Sequence, residues 1–335
     1  METRRDVSAR SASSADYERV RLINDVLTLY YVQELTQAEV GRRLGLSTAR
    51  VNRLLRQARQ QGLVDITIRT PFQQLFDLEA RLKAAFGLRD AVVIPPVAED
   101  ANAMVHTLGR AAAHYLLDHL RDGDVLAIGG GTAVHAVVQA LEPRRACAVK
   151  VVPLMGAVQG RVTTDVNYLA TQLAARLGGE AYQLHAPAFV DSAEQRQALL
   201  AMGPIREILD IARRATVALL GVGTVDAQTS RFVQFTALSA EDMRRIAETH
   251  GGVGEIVARV YDVQGRPCAE EYAQRTVGLS LQELRQIPLV IGVAATAAKA
   301  RPLYGALRGG LLDVLITDEA AARGVLELHR QEDWK

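Results

Sequence analysis

Thr36–Arg59 reads TQAEVGRRLGLSTARVNRLLRQAR, two short amphipathic segments around a Gly-Leu-Ser turn. Thr36 can cap a first helix and Glu39, three residues on, completes a capping box; Ala38, Val40 and Leu44 supply the apolar spacing. Gly45 can take the positive φ that ends a helix sharply. Leu46 then anchors the turn and Ser47 caps a second helix. The pattern predicts a helix-turn-helix, whose second helix lies in the major groove of DNA.

At ~100° per residue, Val51, Leu54, Leu55 and Ala58 share one face and form the buried stripe. Ala49, Asn52, Arg53, Arg56 and Gln60 face the other way, with Arg50 and Arg59 on the rims. Six arginines and no acid lie between Val40 and Val64. A merely solvated helix mixes signs for i,i+4 pairing, whereas an acid-free face suits phosphate neutralisation. Bases are read by the N-terminal part of such a helix, which makes Thr48, Ala49, Arg50, Asn52 and Arg53 the candidates. Arg matches guanine O6/N7, Asn matches adenine N6/N7, and Ala or a Thr methyl meets the thymine methyl. Arg56 and Arg59, further along, are assigned to phosphates. After Gly62 the run LVDITIRT alternates apolar and polar residues, as a wing strand would.

The rest of the chain is too long for one winged helix, and its 335 residues imply two domains. Net charge is only +1, but residues 1–70 hold 12 Arg and 8 acids and so carry +4. The positive charge is thus concentrated in a small module on a slightly acidic body. Cys147 and Cys268 lie far apart in no metal-type spacing, so a reduced, cytoplasmic setting with no structural disulfide and no metal site is expected. No apolar run approaches the ~20 residues of a membrane span. Residues 1–15 are rich in Arg, Ser and Ala without an apolar core and suit a disordered tail.

The expected organisation is a tail over 1–15, a helix-turn-helix domain over 16–70 and a linker helix over 71–89. An effector domain follows over 90–330. Residues 16–35 carry helical spacing at Val20, Ile23, Leu27 and Tyr30/Tyr31, and Leu75, Phe76, Leu78, Leu82 and Phe86 repeat it after Pro71. That second helix can be a linker, a dimer contact or the first helix of the next domain. Beyond Asp90, the apolar runs AVVIP, DVLAIGG, AVKVVPLMG, ATVALLGVG, IPLVIGV and LDVLITD alternate with helical segments. This rhythm predicts an α/β domain with a mainly parallel sheet covered by helices. A hairpin turn is expected at Gln264-Gly265.

Ligands of such sheets bind beyond the carboxyl ends of strands. Glycine-rich strand ends are expected at Gly129-Gly130-Gly131-Thr132, Gly221–Thr224 and Gly251–Glu255. The first can present backbone N–H groups to an anion at a helix N-terminus, or can simply be a tight turn. The dinucleotide fingerprint fails, because Val134 and Val257 stand where its third Gly or Ala belongs. A nicotinamide cofactor is therefore not expected, nor is any other cofactor.

The ordered segments LTQAEVGRRLGLSTARVNRLLRQARQQGLVDITI, IGGGTAV, LATQLAARLGGEAYQLHAPAFV, GGVGEIVARVYDVQG and ALRGGLLDVLITDEAAA resemble the SorC family of sugar-responsive bacterial transcriptional regulators. The resemblance covers nearly the whole chain after the tail. It implies an all-α, winged helix-turn-helix head on an α/β effector domain similar to sugar-phosphate isomerase and deaminase folds. It implies Gly129, Gly131 and Thr132 as donors to an effector phosphate or hydroxyl, with Asp165 and Asn167 as polar contacts opening the next helix. Gly254 and Glu255 occupy a family acidic position, commonly Asp, that accepts from sugar hydroxyls, and Lys299 matches a lysine near the phosphate. Asp318 is expected to cap a helix. Ala133 departs from the family, where a second hydroxyl often follows the first, so a free sugar or polyol also fits.

The resulting expectation is a homo-dimer or homo-tetramer that binds operator DNA and answers a sugar, sugar phosphate or polyol, not an enzyme and not a membrane partner. The alternative is a sugar-phosphate isomerase or deaminase with an accessory DNA-binding head. It needs a carboxylate or histidine base beside the sugar, and Glu255, Asp226, Asp165, His135 and His185 show no acid/base grouping in the sequence.

Overall fold

The structure is a computed structural model that describes residues 14–64, 70–96, 101–158, 162–226 and 238–332. The first thirteen residues of the expected tail, and positions 65–69 of the expected wing, lie outside the described residues. The chain divides into two compact units, between Pro71 and Phe72.

In the smaller unit, α1 (Ser14–Leu27) runs into a π-turn over Thr28–Val32, where Gln33 N–H donates to Thr28 O at 3.0 Å. Such widened turns interrupt helices at functional places more often than elsewhere. Next come α2 (Gln37–Leu44) and α3 (Thr48–Gln60). Thr36 and Glu39 form the full capping box, Gly45 adopts φ 67°, and Ser47 Oγ accepts from Arg50 N–H at 3.3 Å. The turn is tight because a Cβ at Gly41 would lie 2.6 Å from Leu46 O. Ile23, Val26, Leu29, Val40, Val51, Leu54, Leu55 and Ala58 are buried together, so the apolar stripe of α3 holds the unit as its spacing requires.

The larger unit opens with α4 (Gln73–Phe86), whose Leu75, Leu78 and Leu82 are buried in its main core. Of the three roles open to this helix, the structure shows the first helix of the larger unit. Seven strands then form a parallel sheet: β1 (Asp90–Ile94), β2 (Val125–Ile128), β3 (Lys150–Pro153), β4 (Glu180–Ala181), β5 (Val217–Gly221), β9 (Val290–Val293) and β10 (Val314–Asp318). Their order is β1-β10-β9-β5-β2-β3-β4. Alternate residues feed two cores: Val217 and Leu219 pack with α5 (Ala101–His119), α6 (Thr132–Gln139) and α7 (Val166–Leu177). Ala218 and Leu220 belong to the core shared with α4, α9 (Gly203–Arg213), α10 (Ala240–Glu248), the short α11 (Glu270–Ala273) and α12 (Leu281–Leu284), α13 (Ala300–Arg308) and α14 (Glu319–Glu332). Burial on both faces explains why the strands are continuously apolar.

β6 (Gly223–Thr224), β7 (Gly252–Ile256) and β8 (Arg259–Asp262) make a small antiparallel sheet. One expectation is corrected here. Gly252–Glu255 is a strand interior and not a strand end, because β7 pairs along it with both β6 and β8. The β7–β8 hairpin turns at Val257-Ala258, both at positive φ (47° and 62°). The hairpin turn expected at Gln264-Gly265 is present as a second one: Gly265 N–H donates to Asp262 O at 2.9 Å, and Tyr261 bridges antiparallel to Pro267 across it. Among the described residues, no helix is long and apolar enough to cross a membrane.

Candidate functional site

The exposed face of α3 is the first site. Thr48, Ala49, Asn52, Arg53 and Arg56 line one shallow concavity together with Gln37, the first residue of α2. Asn52 Nδ2 donates to Gln37 Oε1 at 3.3 Å, which steadies the amide from the neighbouring helix. Arg50 is exposed but outside this group, and Arg59 is turned away from it, with Nε donating to Tyr31 OH at 3.1 Å. Sequence reasoning missed Gln37 and Tyr31. Gln37 had a usable signal, as a polar residue directly after the N-cap of the first helix; Tyr31 reaches Arg59 only through the π-turn.

The second site follows from topology. From β2 the chain proceeds to β3 and β4 on one side, while β5, β9 and β10 lie on the other. The β2/β5 boundary is therefore a switch point, where connections diverge and leave a crevice beyond the carboxyl ends. Gly129–Gly131 leaves β2 there, and Ala133 of α6 approaches Gly221 at the end of β5, 3.8 Å from where a Cβ would stand.

Several expected residues meet around this crevice. Gly223 and Glu255 are partners in the β6–β7 ladder, and a Cβ at Gly223 would lie 1.8 Å from Glu255 Oε1. Glu255 Oε2 accepts from Ala258 N–H at 3.2 Å, holding the tip of the hairpin. Val257, beside Ala258, reaches Gly129, where a Cβ would stand 3.6 Å from its Cγ1. Burial pushes the Glu255 carboxyl pKa up, while the positive charge of Lys299 and the Ala258 N–H pull it down. Gly254 is glycine for space, since a Cβ there would meet Tyr261 OH at 2.5 Å. That hydroxyl is buried and donates to Pro302 O at 3.0 Å.

The donor role expected of Gly129 and Gly131 is corrected. Gly129 N–H donates to Leu219 O at 2.9 Å and Gly131 N–H to Thr164 O at 3.0 Å, so both amides are consumed by the fold. What this loop can offer a ligand is the opening turn of α6, whose first N–H groups have no intrahelical acceptor. Asp165 and Asn167 also carry structure. Asp165 caps α7 by accepting from Asn167 and Tyr168 N–H, and Asn167 clamps Leu184 through its N–H (2.8 Å) and its carbonyl (3.2 Å). Asp318 caps α14 at Ala321 N–H and also accepts from Thr296 N–H at 2.9 Å, which fixes the turn carrying Lys299. Gly223 was expected within the glycine-rich end Gly221–Thr224, whereas sequence reasoning missed Val257, which nothing local marks.

The family model described as "Putative sugar-binding domain" matches residues 70–327, and that for sigma-70 region 4 matches residues 24–61. The chain is 31% identical over 319 residues to the deoxyribonucleoside regulator of Bacillus subtilis, covering 93% of this chain and 99% of that protein. It is also 31% identical to the transcriptional regulator LsrR of Klebsiella pneumoniae, over 92% and 93% of the two chains. The crystal structure of the full-length sorbitol operon regulator SorC from Klebsiella pneumoniae superposes with a TM-score of 0.71 at 28% identity, covering 92% of this chain and 98% of that one.

Proposed function

The chain belongs to the SorC family of sugar-responsive bacterial transcriptional regulators, and from that membership we propose a sequence-specific operator-binding regulator. Its operator affinity is switched by a sugar, sugar phosphate or polyol held in the larger unit, and the operon it controls serves carbohydrate catabolism. The observation that carries this reading is the acid-free face of α3, where Thr48, Ala49, Asn52, Arg53 and Arg56 surround one concavity with Gln37. Arg53 and Asn52, with Arg50 beside them, read base edges, and Arg56 and Arg59 hold phosphates. In the larger unit, Thr132 and the first turn of α6 receive an effector phosphate or hydroxyl. Glu255 accepts from sugar hydroxyls, and Lys299 faces the anionic end. Asp165 and Asn167 act by shaping the floor of that crevice. A homo-dimer or homo-tetramer supplies the paired heads that a two-half-site operator needs.

The test is a mobility-shift titration on the DNA upstream of the gene, with and without a panel of sugars, polyols and their phosphate esters. Arg53→Ala is expected to cost about 1–3 kcal/mol on the preferred sequence and to relax specificity there. Arg56→Ala is expected to weaken binding evenly and to lower the salt slope by ~1. Turnover of a sugar phosphate by a chain that shows no sequence-specific DNA binding would overturn the reading in favour of an enzyme.

A further inference from the structure

Three arginines gather about the segment Tyr272–Leu279 without a carboxylate against any of them. Arg259 of β8, 7% exposed, donates to four carbonyls: Ala273 O at 2.6 Å, Gly278 O at 3.0 Å, Leu279 O at 3.1 Å and Thr276 O at 3.2 Å. Arg196, from α8 (Ala193–Ala201), donates through Nε to that same Thr276 O at 2.7 Å. Arg275 lays its guanidinium over the rings of Phe189 (5.7 Å) and Tyr272 (5.2 Å). Among the described residues, none of the three has an Asp or Glu oxygen within 4.0 Å. Of the acids on the neighbouring elements, Glu283 pairs with Arg213 and Glu271 with Arg245, while Glu270 accepts from Gln274 Nε2 at 3.5 Å.

Two guanidinium groups on one carbonyl oxygen hold like charges close together in a partly dry place, which is costly without a counter-charge. Arg259 registers this: burial first, and the charge of Arg196 second, bring its pKa down to about 10, against the pull of Glu283 and Glu270. Arg196 and Arg275 are only partly buried. Arg196 uses Nε alone and Arg275 the face of its guanidinium, so the Nη edges of both can still donate.

We propose that Arg196 and Arg275, backed by Arg259, form a phosphate-binding site separate from the Gly129–Lys299 crevice. Its occupant is free phosphate or the phosphoryl group of a small metabolite. Phosphate carries about −1.5 to −2 charges near pH 7 and so answers two cations at once, where one carboxylate answers one. Its oxygens also suit the flat donor edge of a guanidinium. Restricted exposure of both side chains favours a small occupant over a polymer.

The experiment is calorimetric titration of the full chain with inorganic phosphate and, separately, glucose 6-phosphate, at ionic strength held constant with chloride. Saturable binding is expected, weakened about tenfold or more by Arg196→Gln with Arg275→Gln and left in place by Lys299→Gln. Arg196→Lys with Arg275→Lys keeps the charges but loses the forked donors, and is expected to fall between; thermal unfolding in chloride confirms that each variant is folded. Binding of inorganic phosphate identifies the free anion as sufficient, and binding of glucose 6-phosphate alone identifies a phosphorylated metabolite. The proposal is overturned by three results: no saturable binding, binding lost with Lys299→Gln but kept by the double glutamine variant, or a double variant whose only change is in oligomeric mass. The last would mean that a second copy's carboxylate fills the site.

Discussion

A methyl group at position 223 would stand 1.8 Å from Glu255 Oε1, so the identity of one glycine decides where the crevice's carboxylate can sit. Gly223→Ala is therefore expected to displace Glu255 and abolish any effector-induced rise in unfolding temperature, while DNA binding without effector stays unchanged; an unaltered thermal response would contradict this placement. Glu255 also sets a pH dependence. Its folded-state pKa is raised from 4.5, burial being the first cause, so the folded protein holds this proton more tightly than the unfolded chain. Stability should then fall as pH rises through 4.5 towards the raised value, and Glu255→Gln should remove that part of the fall. Unfolding midpoints of the two proteins across this range provide the check. At this scale the sequence marked residues that gather at the crevice but not the backbone bonds that hold them there. Gly129 and Gly131 reach the crevice, yet their amides are taken by Leu219 and Thr164, partners far away in the chain.

Elements were legible wherever their signals are local. The Thr36–Glu39 capping box, Gly45 and the stripe Val51/Leu54/Leu55/Ala58 each lie within a turn or two of the feature they specify, and α2 and α3 follow from them. The six apolar runs beyond Asp90 all became strands of the parallel sheet, because burial on both faces leaves an unbroken apolar mark. α8 buries no residue and so carries no apolar stripe, and β4 is two residues long. The β7–β8 turn was hidden for a different reason. Val257 and Ala258 stand in backbone conformations that favour glycine, held by the Glu255 carboxylate and by packing against Gly129, while the glycine at 265 draws attention to the neighbouring turn. Left-handed backbone costs a non-glycine residue roughly 1–2 kcal/mol, partly offset by the greater unfolded-state freedom of glycine. Ala258→Gly is therefore expected to leave stability unchanged or raise it by up to about 1 kcal/mol, read from denaturant unfolding; a clear loss would mean that the turn is unstrained.

At the scale of the molecule, a basic reading head and a sugar-binding-type body share one chain, and the proposed regulator needs them coupled. Coupling of this kind is a free energy and is reciprocal: whatever factor the effector applies to operator affinity, the operator must apply to effector affinity. Family membership and the parallel-sheet body were both legible in the sequence, since ordered segments along most of the chain carry them. The effector's identity was not, because the crevice is assembled from the ends of β2 and β5, from β7 and from the turn before α13, segments far apart in the chain. The most direct test is fluorescence anisotropy on operator DNA with the full chain, at saturating concentrations of whichever sugar, polyol or phosphate ester raises its unfolding temperature. The expected result is a change in DNA affinity of several-fold or more, matched by an equal change in effector affinity when DNA is present and lost in Gly223→Ala. A ligand that saturates the protein and leaves DNA affinity untouched would contradict the proposed switch.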